Sequence, residues 1–344
     1  MEIVSARRNP VRSSPASPLP PDWAASLRAA VRDPRELCQL LDLPSEFAER
    51  AATAASDFPL FVTREYLSRI EPGRPEDPLL RQVLPVFEEA QTIAGFTADP
   101  VEEREKLSAP GLLTKYRGRA LLIVASACAI HCRYCFRRWF PYEGTPKSLA
   151  AWKPAIEAIA ADSSIEEVLL SGGDPLMAVD ATLAELNSAL AEIPHVRRLR
   201  VHTRLPVVIP QRVTSELLAW LTGTRLTPWM VVHVNHAREI DGAVAEALAR
   251  LIDAGIPVLN QSVLLRGVND DLESLVELSR RLIDLRVQPY YLHALDRVAG
   301  AAHFEVPLAR GVELVREMRA LLPGYAVPRF VRETPGLPSK ELIE

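Results

Sequence analysis

The sequence predicts an α/β fold, a partial (β/α)6 TIM-like barrel with a helical N-terminal region before it and a short C-terminal segment after it. From residue 119 onward, short apolar runs alternate with helical patterns, and six such units follow one another. This alternation is typical of parallel strands joined by crossover helices. The residues suited to chemistry come directly after predicted strands, where barrels form their active sites. Six units favour an incomplete barrel over a closed one of eight.

The predicted strands are short runs rich in β-branched or aromatic residues. They cover residues 120–125, 167–170, 199–202, 230–234, 257–263 and 288–293. Helical patterns between them cover residues 180–193, 214–221, 242–254 and 272–285. We expect such strands to be buried on both faces, as parallel strands with crossover helices are.

The predicted boundaries are 1–21 for a flexible arm, 22–110 for a helical N-terminal region, 111–324 for the partial barrel and 325–344 for the C-terminal segment. Prolines among serines indicate the arm. Asp33 followed by Pro34 predicts a helix start, with a capping side chain and a proline at the first helical position. One apolar run, residues 326–331, lies in the C-terminal segment.

Composition excludes several classes of protein. In 344 residues, 48% are hydrophobic, and 40 basic against 44 acidic residues give a net charge of −4. That balance shows no general footprint for nucleic acid. No apolar run approaches the ~20 residues of a membrane span, and the N-terminus lacks the apolar core of a signal peptide. Free thiols suit a reducing compartment, so we expect a cytoplasmic protein.

Three of the four cysteines, Cys128, Cys132 and Cys135, form a C-x3-C-x2-C run after the first predicted strand. Three thiolates can hold three irons of a [4Fe–4S] cluster and leave the fourth iron open to a ligand. A zinc site is a weaker alternative because it needs four ligands, and His131 is the spare one nearby. A disulfide framework or a chance cluster of buried thiols are further alternatives. Cys38 lies in an apolar helical stretch, which predicts a packed core thiol.

Polar residues also follow the second and sixth predicted strands. Gly172, Gly173 and Asp174 begin a Gly-Gly-Asp-Pro turn, in which glycines let the backbone approach a ligand and present amides to a charged group. An ordinary turn before a helix is the alternative for this motif alone. Asp296 follows the sixth strand. Because the carboxyl ends of barrel strands meet at one face, we expect these residues and the cysteines to lie together.

The cysteine run and the glycine turn together resemble the radical S-adenosylmethionine (SAM) enzymes. Over about residues 58–340 the chain resembles lysine 2,3-aminomutases, and is most similar to a short subgroup that makes (R)-β-lysine for modification of translation elongation factor P. The matching stretches are CRYCFRR at 132–138, LSGGDPL at 170–176, HVNH at 233–236, NQSVLLRGVND at 260–270 and PYYLH at 289–293. DPLLRQVL at 77–84 and RRWFPY at 137–142 indicate the short subgroup.

The resemblance implies SAM on the open iron and pyridoxal phosphate (PLP) as a further cofactor. Lys340 matches the lysine that holds PLP, which makes the C-terminal segment a PLP-binding tail; the alternative is a solvated tail lysine. Lys115, Tyr116 and Arg119 match positions that line the PLP pocket. Arg119 suits the phosphate because it is permanently charged, although a surface arginine at a strand edge is the alternative.

Further polar residues at strand ends are expected to contact the cofactors. They are Asn260, Gln261 and Ser262, whose alternative role is to hold the strand-end backbone, and His233 and Asn235 as neighbours of SAM. A histidine satisfied within the core is the common alternative for His233.

The resemblance also implies the substrate contacts. Arg137 matches the arginine that binds the carboxylate of lysine, a task that suits a guanidinium. Asp296 matches one of two acids that bind the ε-ammonium group. Glu333 stands where the family has an aspartate as the second acid, so its reach is one methylene longer. A surface ion pair of Glu333 with Arg332 or Arg329 is the alternative.

The sequence therefore predicts an isomerase, an L-lysine 2,3-aminomutase. Its expected partners are L-lysine, an electron donor such as flavodoxin or ferredoxin, and functionally elongation factor P with its lysyl-transferring enzyme; a homo-oligomer stays open. We expect no structural zinc because cysteines found near the C-terminus of longer relatives are missing. The alternatives are an aminomutase acting on glutamate or arginine, a radical SAM enzyme without PLP, and a non-enzymatic metal-binding module.

Overall fold

The computed structural model of the protein describes residues 22–55 and 57–344. The predicted flexible arm, residues 1–21, lies outside the described residues. Strands in the described part are β1 (Leu107–Ala109), β2 (Leu112–Leu113), β3 (Arg119–Ala125), β4 (Glu167–Gly172), β5 (Arg198–Thr203), β6 (Thr227–His233), β7 (Val258–Val263), β8 (Gln288–His293), β9 (Arg329–Arg332) and β10 (Glu341–Leu342).

The α-helices of the same residues divide between the N-terminal region and the barrel. Those before β1 are α1 (Trp23–Arg28), α2 (Pro34–Leu40), α3 (Ser45–Ala54), α4 (Arg64–Leu67) and α5 (Pro78–Arg81). Those after β3 are α6 (Leu149–Ala161), α7 (Asp180–Ala191), α8 (Leu205–Val208), α9 (Ser215–Thr222), α10 (Gly242–Asp253), α11 (Leu272–Asp284) and α12 (Leu308–Leu321).

The strands form one sheet in which the spatial order follows the chain order from β1 to β10. Neighbours from β3 to β9 are parallel, whereas β1, β2 and β10 pair antiparallel at the two ends. A parallel sheet that always adds the next strand on the same side curls into a barrel, and here it ends at β1 and β10 instead of closing. The predicted partial barrel is confirmed, and the C-terminal apolar run adds β9 as one more parallel strand.

The two faces of the parallel strands differ in what they bury. Val168 and Leu170 of β4 point outward and are fully buried beneath the surrounding helices. Helix α10 shows how that layer forms, because Asp241 caps it and its residues Val244, Leu248 and Leu251 fall on one buried face. Apolar burial of this kind contributes about 25 cal/mol per Å² to stability.

The inner face of the barrel carries polar side chains. Ser171, His202, His233, Gln261 and His293 come from five strands, β4 to β8, and each remains partly exposed while its neighbours along the strand are mostly buried. Successive side chains of a strand alternate between faces, so these residues point into the barrel. The interior is therefore a polar cavity in place of a packed apolar core.

The N-terminal helices pack against the barrel through polar and apolar contacts. Asp33 accepts a hydrogen bond from the Arg35 amide and Pro34 begins α2, which confirms the predicted helix start. Cys38 lies on this helix at 1% exposure within the hydrophobic core. Thr63 donates a hydrogen bond to the Val208 carbonyl at 2.7 Å, which ties the region to α8.

Candidate active site

A cavity of about 680 Å³ runs through the barrel interior. The predicted site residues that line it are Lys115, Tyr116, Arg119, Cys128, Cys132, Cys135, Arg137, Gly173, Asp174, His233, Gln261, Asp296, Glu333 and Lys340. Those that lie behind its wall are Gly172, Asn235, Asn260 and Ser262. Residues from distant parts of the chain therefore meet in one cavity, as the rule of common strand ends predicts.

The cysteine loop, residues 126–138, follows β3 and places Cys128, Cys132 and Cys135 on the cavity wall. The three thiols are free and partly buried. Arg204 donates a hydrogen bond from Nη1 to the Cys132 sulfur at 2.6 Å. Burial raises the pKa of the Cys135 thiol to about 11, and a coordinated cation would reverse that shift. Three thiols beside a guanidinium fit an anionic iron–sulfur cluster.

The N-terminal region fixes the cysteine loop. Arg133, at 0% exposure, donates two hydrogen bonds to Glu89, from Nε at 2.8 Å and from Nη2 at 2.5 Å. The Arg133 amide also bonds the Gln82 carbonyl at 2.9 Å, and the His131 amide bonds the Phe61 carbonyl at 2.9 Å. A buried pair with two hydrogen bonds has a defined geometry, so it sets the position of the adjacent cysteines.

The glycine turn seats the end of β4 against the same loop. Gly172 has a φ of +128°, and a Cβ there would lie 2.4 Å from the Ala125 carbonyl oxygen. A Cβ on Gly173 would lie 2.4 Å from the Ala127 carbonyl oxygen. The Asp174 carboxylate accepts bonds from the Thr203 hydroxyl and the Arg204 amide, each at 2.7 Å, while burial raises its pKa to about 6. Only glycine fits the close contacts at positions 172 and 173.

Glu333 organises the C-terminal segment. Its carboxylate accepts hydrogen bonds from Tyr116 and from Lys340, and it lies 2.7 Å from the Lys115 ammonium. Burial opposes its charge, but Lys340, Lys115 and Tyr116 together lower the pKa of Glu333 to about 2. Lys340 is thus held in the cavity, so the solvated-tail alternative is wrong.

The surface-pair alternative for Glu333 is also wrong. Arg332 instead pairs with Glu341 at 2.8 Å across β9 and β10, and Glu333 turns inward. The side chain of Glu333 is 6% exposed, as expected for a cavity residue and not for a surface ion pair.

Asp296 is a half-buried acid that lacks a compensating contact. Its carboxylate faces the cavity and has no hydrogen-bond or ion-pair partner within residues 22–55 and 57–344. Desolvation in the cavity raises the pKa of Asp296 to about 7, although the Lys340 charge acts in the opposite direction. A carboxylate in this state gains most from a ligand that brings a positive charge.

Arg119 and Gln261 offer polar groups to the cavity from β3 and β7. The Arg119 guanidinium lies 5.2 Å from the centre of the Tyr116 ring and has no acidic partner among the described residues. An arginine without a carboxylate partner suits an anionic ligand such as a phosphate. The His233 ring shares a hydrogen bond of 3.0 Å with the Tyr134 hydroxyl and still lines the cavity.

Three predicted cofactor contacts require correction. Asn260 accepts from the Val234 amide at 2.9 Å and donates to its carbonyl at 3.1 Å, and Ser262 donates to the same carbonyl at 2.7 Å. Asn235 is fully buried and bonds Tyr134 at 2.7 Å. These side chains hold the ends of β6 and β7, the alternative role that the sequence left open for Asn260 and Ser262, because buried backbone groups need partners.

The chain matches the model of the Radical SAM superfamily over residues 122–279. It is 46% identical over 321 residues to the L-lysine 2,3-aminomutase of Haemophilus influenzae, covering 93% of this chain and 95% of that protein. It is 46% identical to the protein of the same name from Escherichia coli, covering 94% of each. The identity to that of Clostridium subterminale is 37%, over 92% of this chain and 76% of that protein.

The chain belongs to the L-lysine 2,3-aminomutase family. This confirms the resemblance and the prediction of an isomerase. The radical SAM match includes β3, the cysteine loop and the glycine turn, and membership of that superfamily implies a [4Fe–4S] cluster and SAM. In the described part of the chain, no helix has the length and apolar character needed to cross a membrane.

Three residues that line the cavity were not predicted from the sequence: His202, Arg204 and Glu103. His202 and Arg204 flank the carboxyl end of β5, so the strand-end rule applied to the third predicted strand would have found them. The Nε2 atom of His202 is buried and has no hydrogen-bond partner among the described residues. Glu103 precedes β1 and pairs with Arg137 at 2.7 Å. Its place in the sequence carries no signal, because the contact is long-range.

Proposed function

We propose that the protein is a radical SAM and PLP-dependent L-lysine 2,3-aminomutase that forms (R)-β-lysine in the cytoplasm. The observation that carries the proposal is that one cavity is lined by three free cysteines, by Lys340 and by charged groups of both signs. The names of the relatives support lysine as the substrate.

The donor sets fit the cofactors. Cys128, Cys132 and Cys135 would hold the cluster. Gly173, Asp174 and His233 would contact SAM. Lys340 would hold PLP, with Arg119 and Gln261 on its polar edge. When bound, the cluster and SAM would supply a radical that abstracts a hydrogen atom, and PLP would carry the migrating amino group.

The chain's own residues would bind lysine by its two charged ends. Arg137 would present a guanidinium to the carboxylate, and Asp296 would present its carboxylate to the ε-ammonium group. A bond from Lys340 to PLP would draw its nitrogen away from Glu333, which would leave one side of that carboxylate for the same ammonium group. Two acids in the cavity repel a second substrate carboxylate, so glutamate is disfavoured. Enclosure within the barrel excludes water from a reactive radical.

We infer a biological role from the short subgroup. The chain covers 95% and 94% of the relatives from Haemophilus influenzae and Escherichia coli, but 76% of the Clostridium subterminale protein, as expected for a short form. The product would then serve modification of elongation factor P by its lysyl-transferring enzyme. Flavodoxin or ferredoxin would supply the electron that cleaves SAM, and the protein would act alone or as a homo-oligomer.

Anaerobic reconstitution tests the proposal. We expect one [4Fe–4S] cluster and one PLP per chain, SAM cleavage that depends on a reductant, and conversion of L-lysine to (R)-β-lysine. A reconstituted protein that converts glutamate or arginine but not lysine would indicate another substrate. A reconstituted protein without PLP absorbance would indicate a radical SAM enzyme of another type, and one without SAM cleavage a metal-binding module.

Substitution of cysteines provides the matched control. Cys128→Ala, Cys132→Ala and Cys135→Ala should each lose most of the iron, the sulfide and the SAM cleavage. Cys38→Ala removes a thiol that is buried in α2 and should retain all three. Normal SAM cleavage by the Cys128→Ala protein would contradict the assignment of the cluster.

A further inference from the structure

Arg137 already has a carboxylate partner in the cavity. Its Nε donates to Glu103 Oε2 and its Nη2 to Glu103 Oε1, both at 2.7 Å. Its Nη1 donates to the Ser171 hydroxyl at 2.9 Å and to the Gly172 carbonyl at 3.1 Å. A guanidinium has five N–H groups, so these four bonds leave one N–H of Nη2 unused. A second carboxylate cannot form two bonds while Glu103 holds that edge.

Both members of this pair are buried. Arg137 and Glu103 are each 7% exposed, and both line the cavity. A carboxylate from the substrate would therefore meet Glu103 at close range without water to screen the repulsion. One of the two carboxylates must leave the two-bonded edge of Arg137.

We propose that the substrate carboxylate displaces Glu103 from Arg137, and that this competition makes Glu103 a determinant of substrate affinity. The inference rests on the proposed function, because it takes Arg137 as the residue that binds the substrate carboxylate. Glu103 acts through Arg137. It keeps the guanidinium fixed against the end of β4, and it leaves Nε and Nη2 of Arg137 when the substrate carboxylate binds there. It is a positioning residue.

The surroundings can receive the displaced side chain. Lys106, three residues further on, lines the same cavity, and Lys115 donates a hydrogen bond to the Val101 carbonyl at 3.2 Å. The Lys115 ammonium group therefore lies beside the backbone two residues before Glu103, and Lys106 faces the same cavity. The Asp99 carboxylate accepts a hydrogen bond from the Glu103 amide at 3.0 Å, which holds the backbone in place while the side chain rotates.

The same segment contacts the loop that carries the opposite end of the site. The Thr97 amide bonds the Arg297 carbonyl at 2.9 Å, and the Ala299 amide bonds the Thr97 carbonyl at 2.8 Å. Arg297 and Ala299 lie one and three residues after Asp296. The backbone segment that leads to Glu103 is thus bonded to the loop that follows Asp296.

Substitution of Glu103 tests the competition. The dissociation constant of L-lysine is measured on the protein loaded with cluster, SAM and PLP, without reductant, from the change in PLP absorbance. Glu103→Gln removes the competing charge and should tighten L-lysine binding on the order of tenfold, the scale of one charged hydrogen-bonded contact. L-lysinamide lacks the carboxylate, so its affinity should change less than about twofold.

Glu105→Gln is the matched control because it removes the same charge from an exposed position of the same segment, and it should leave both affinities unchanged. Glu103→Asp keeps the charge but reaches less far, so it should shift L-lysine affinity in the same direction by a smaller factor. An unchanged or weaker affinity for L-lysine in Glu103→Gln, or an equal change for both ligands, would overturn the inference. Failure of the native protein to bind L-lysine would instead contradict the proposed function.

Discussion

Most charged residues discussed for the cavity are paired with a residue of opposite charge. Glu103 neutralises Arg137, and Glu333 lies among Lys115, Tyr116 and Lys340. Arg119 lacks an acidic partner, and Asp296, which faces the cavity, has no hydrogen-bond or ion-pair partner within the described residues. A carboxylate in that position costs stability and gains affinity for a cation, so function and stability oppose each other at this residue.

Removal of the Asp296 charge should impair lysine turnover. Truncating one partner of a buried charged pair costs about 2–5 kcal/mol, and ~1.4 kcal/mol is a factor of ten. Asp296→Ala should therefore lower kcat/KM for lysine on the order of a hundredfold or more, and Asp296→Asn nearly as much, with iron and PLP contents unchanged. Native turnover by Asp296→Asn would show that the ammonium group binds elsewhere.

The same carboxylate should impose a pH dependence. Burial raises the pKa of Asp296 to about 7, so its charged form is lost as the pH falls through that value. We expect kcat/KM for lysine to decrease about tenfold per pH unit below pH 7, since this ratio reports the free enzyme. The acidic limb should be missing from the residual activity of Asp296→Asn. An identical limb in that variant would assign it to another group.

Asp296→Asn should also stabilise the fold at alkaline pH. With its pKa raised, the folded state favours the protonated acid, so the stability contribution is complete at acidic pH and is lost as the pH rises through about 7. The melting temperature of Asp296→Asn should exceed that of the native protein by more at pH 8 than at pH 5. Asp253→Asn, at a surface pair with Arg286, should show no such difference.

At the scale of elements, the glycine turn after β4 and the cysteine loop after β3 form one unit. Gly173 donates its amide to the Ala125 carbonyl at 2.7 Å, and the Asp174 amide bonds the Ala127 carbonyl at 2.9 Å. The turn thus supports the backbone that leads to Cys128. Its glycines serve this close packing as much as any ligand.

Gly173→Ala should therefore disturb the cluster. Its new Cβ would meet the carbonyl carbon and oxygen of Ala127 and the carbonyl oxygen of Ser126 at 2.4–2.8 Å. Overpacking of this kind costs about 1–3 kcal/mol. We expect a lower melting temperature and a reduced iron content. Gly242→Ala, at the start of α10 with nothing within 4 Å, should keep the iron and melt at the same or a higher temperature.

The barrel elements could be predicted from the sequence because their pattern is local. The run at 257–263, for example, is bounded by helical patterns and becomes β7 almost without change. The short strands β1 and β2 could not be predicted, because β2 depends on pairing with β3 and β1 on pairing with β2. Polar residues at strand ends were found, but whether Asn260 faces the cavity or β6 depends on its hydrogen bonds.

Long-range contacts limited prediction of the site as a whole. The pairs that hold Arg133 and Arg137 join the cysteine loop to Glu89 and Glu103 in the N-terminal region. No spacing pattern in the sequence predicts such pairs, because the partners are separated by more than thirty positions. The region before β1 therefore holds residues of the proposed site in place by contact, and its one matching stretch, residues 77–84, does not include Glu89 or Glu103.

Across the whole molecule, the proposed cluster and PLP sites lie at opposite margins of the parallel sheet. The cysteine loop follows β3, whereas Lys340 lies between β9 and β10, and the sheet separates these strands by five others. Hydrogen bonds hold the cysteine loop to the N-terminal region and to Arg204, and among the described residues none joins the loop to the C-terminal segment. The two sites should therefore fail independently.

Lys340→Ala tests that independence. The variant should lose PLP and lysine turnover but keep native iron and sulfide and slow, lysine-independent cleavage of SAM, because no hydrogen bond in the described part of the chain joins the cysteine loop to residues 325–344. In the native protein, borohydride reduction and peptide mapping should find PLP on Lys340. Lys106→Ala removes another lysine of the cavity and should keep the PLP label. Labelling of a different lysine would overturn the assignment of PLP to Lys340. Loss of iron from Lys340→Ala would show that the two sites are coupled.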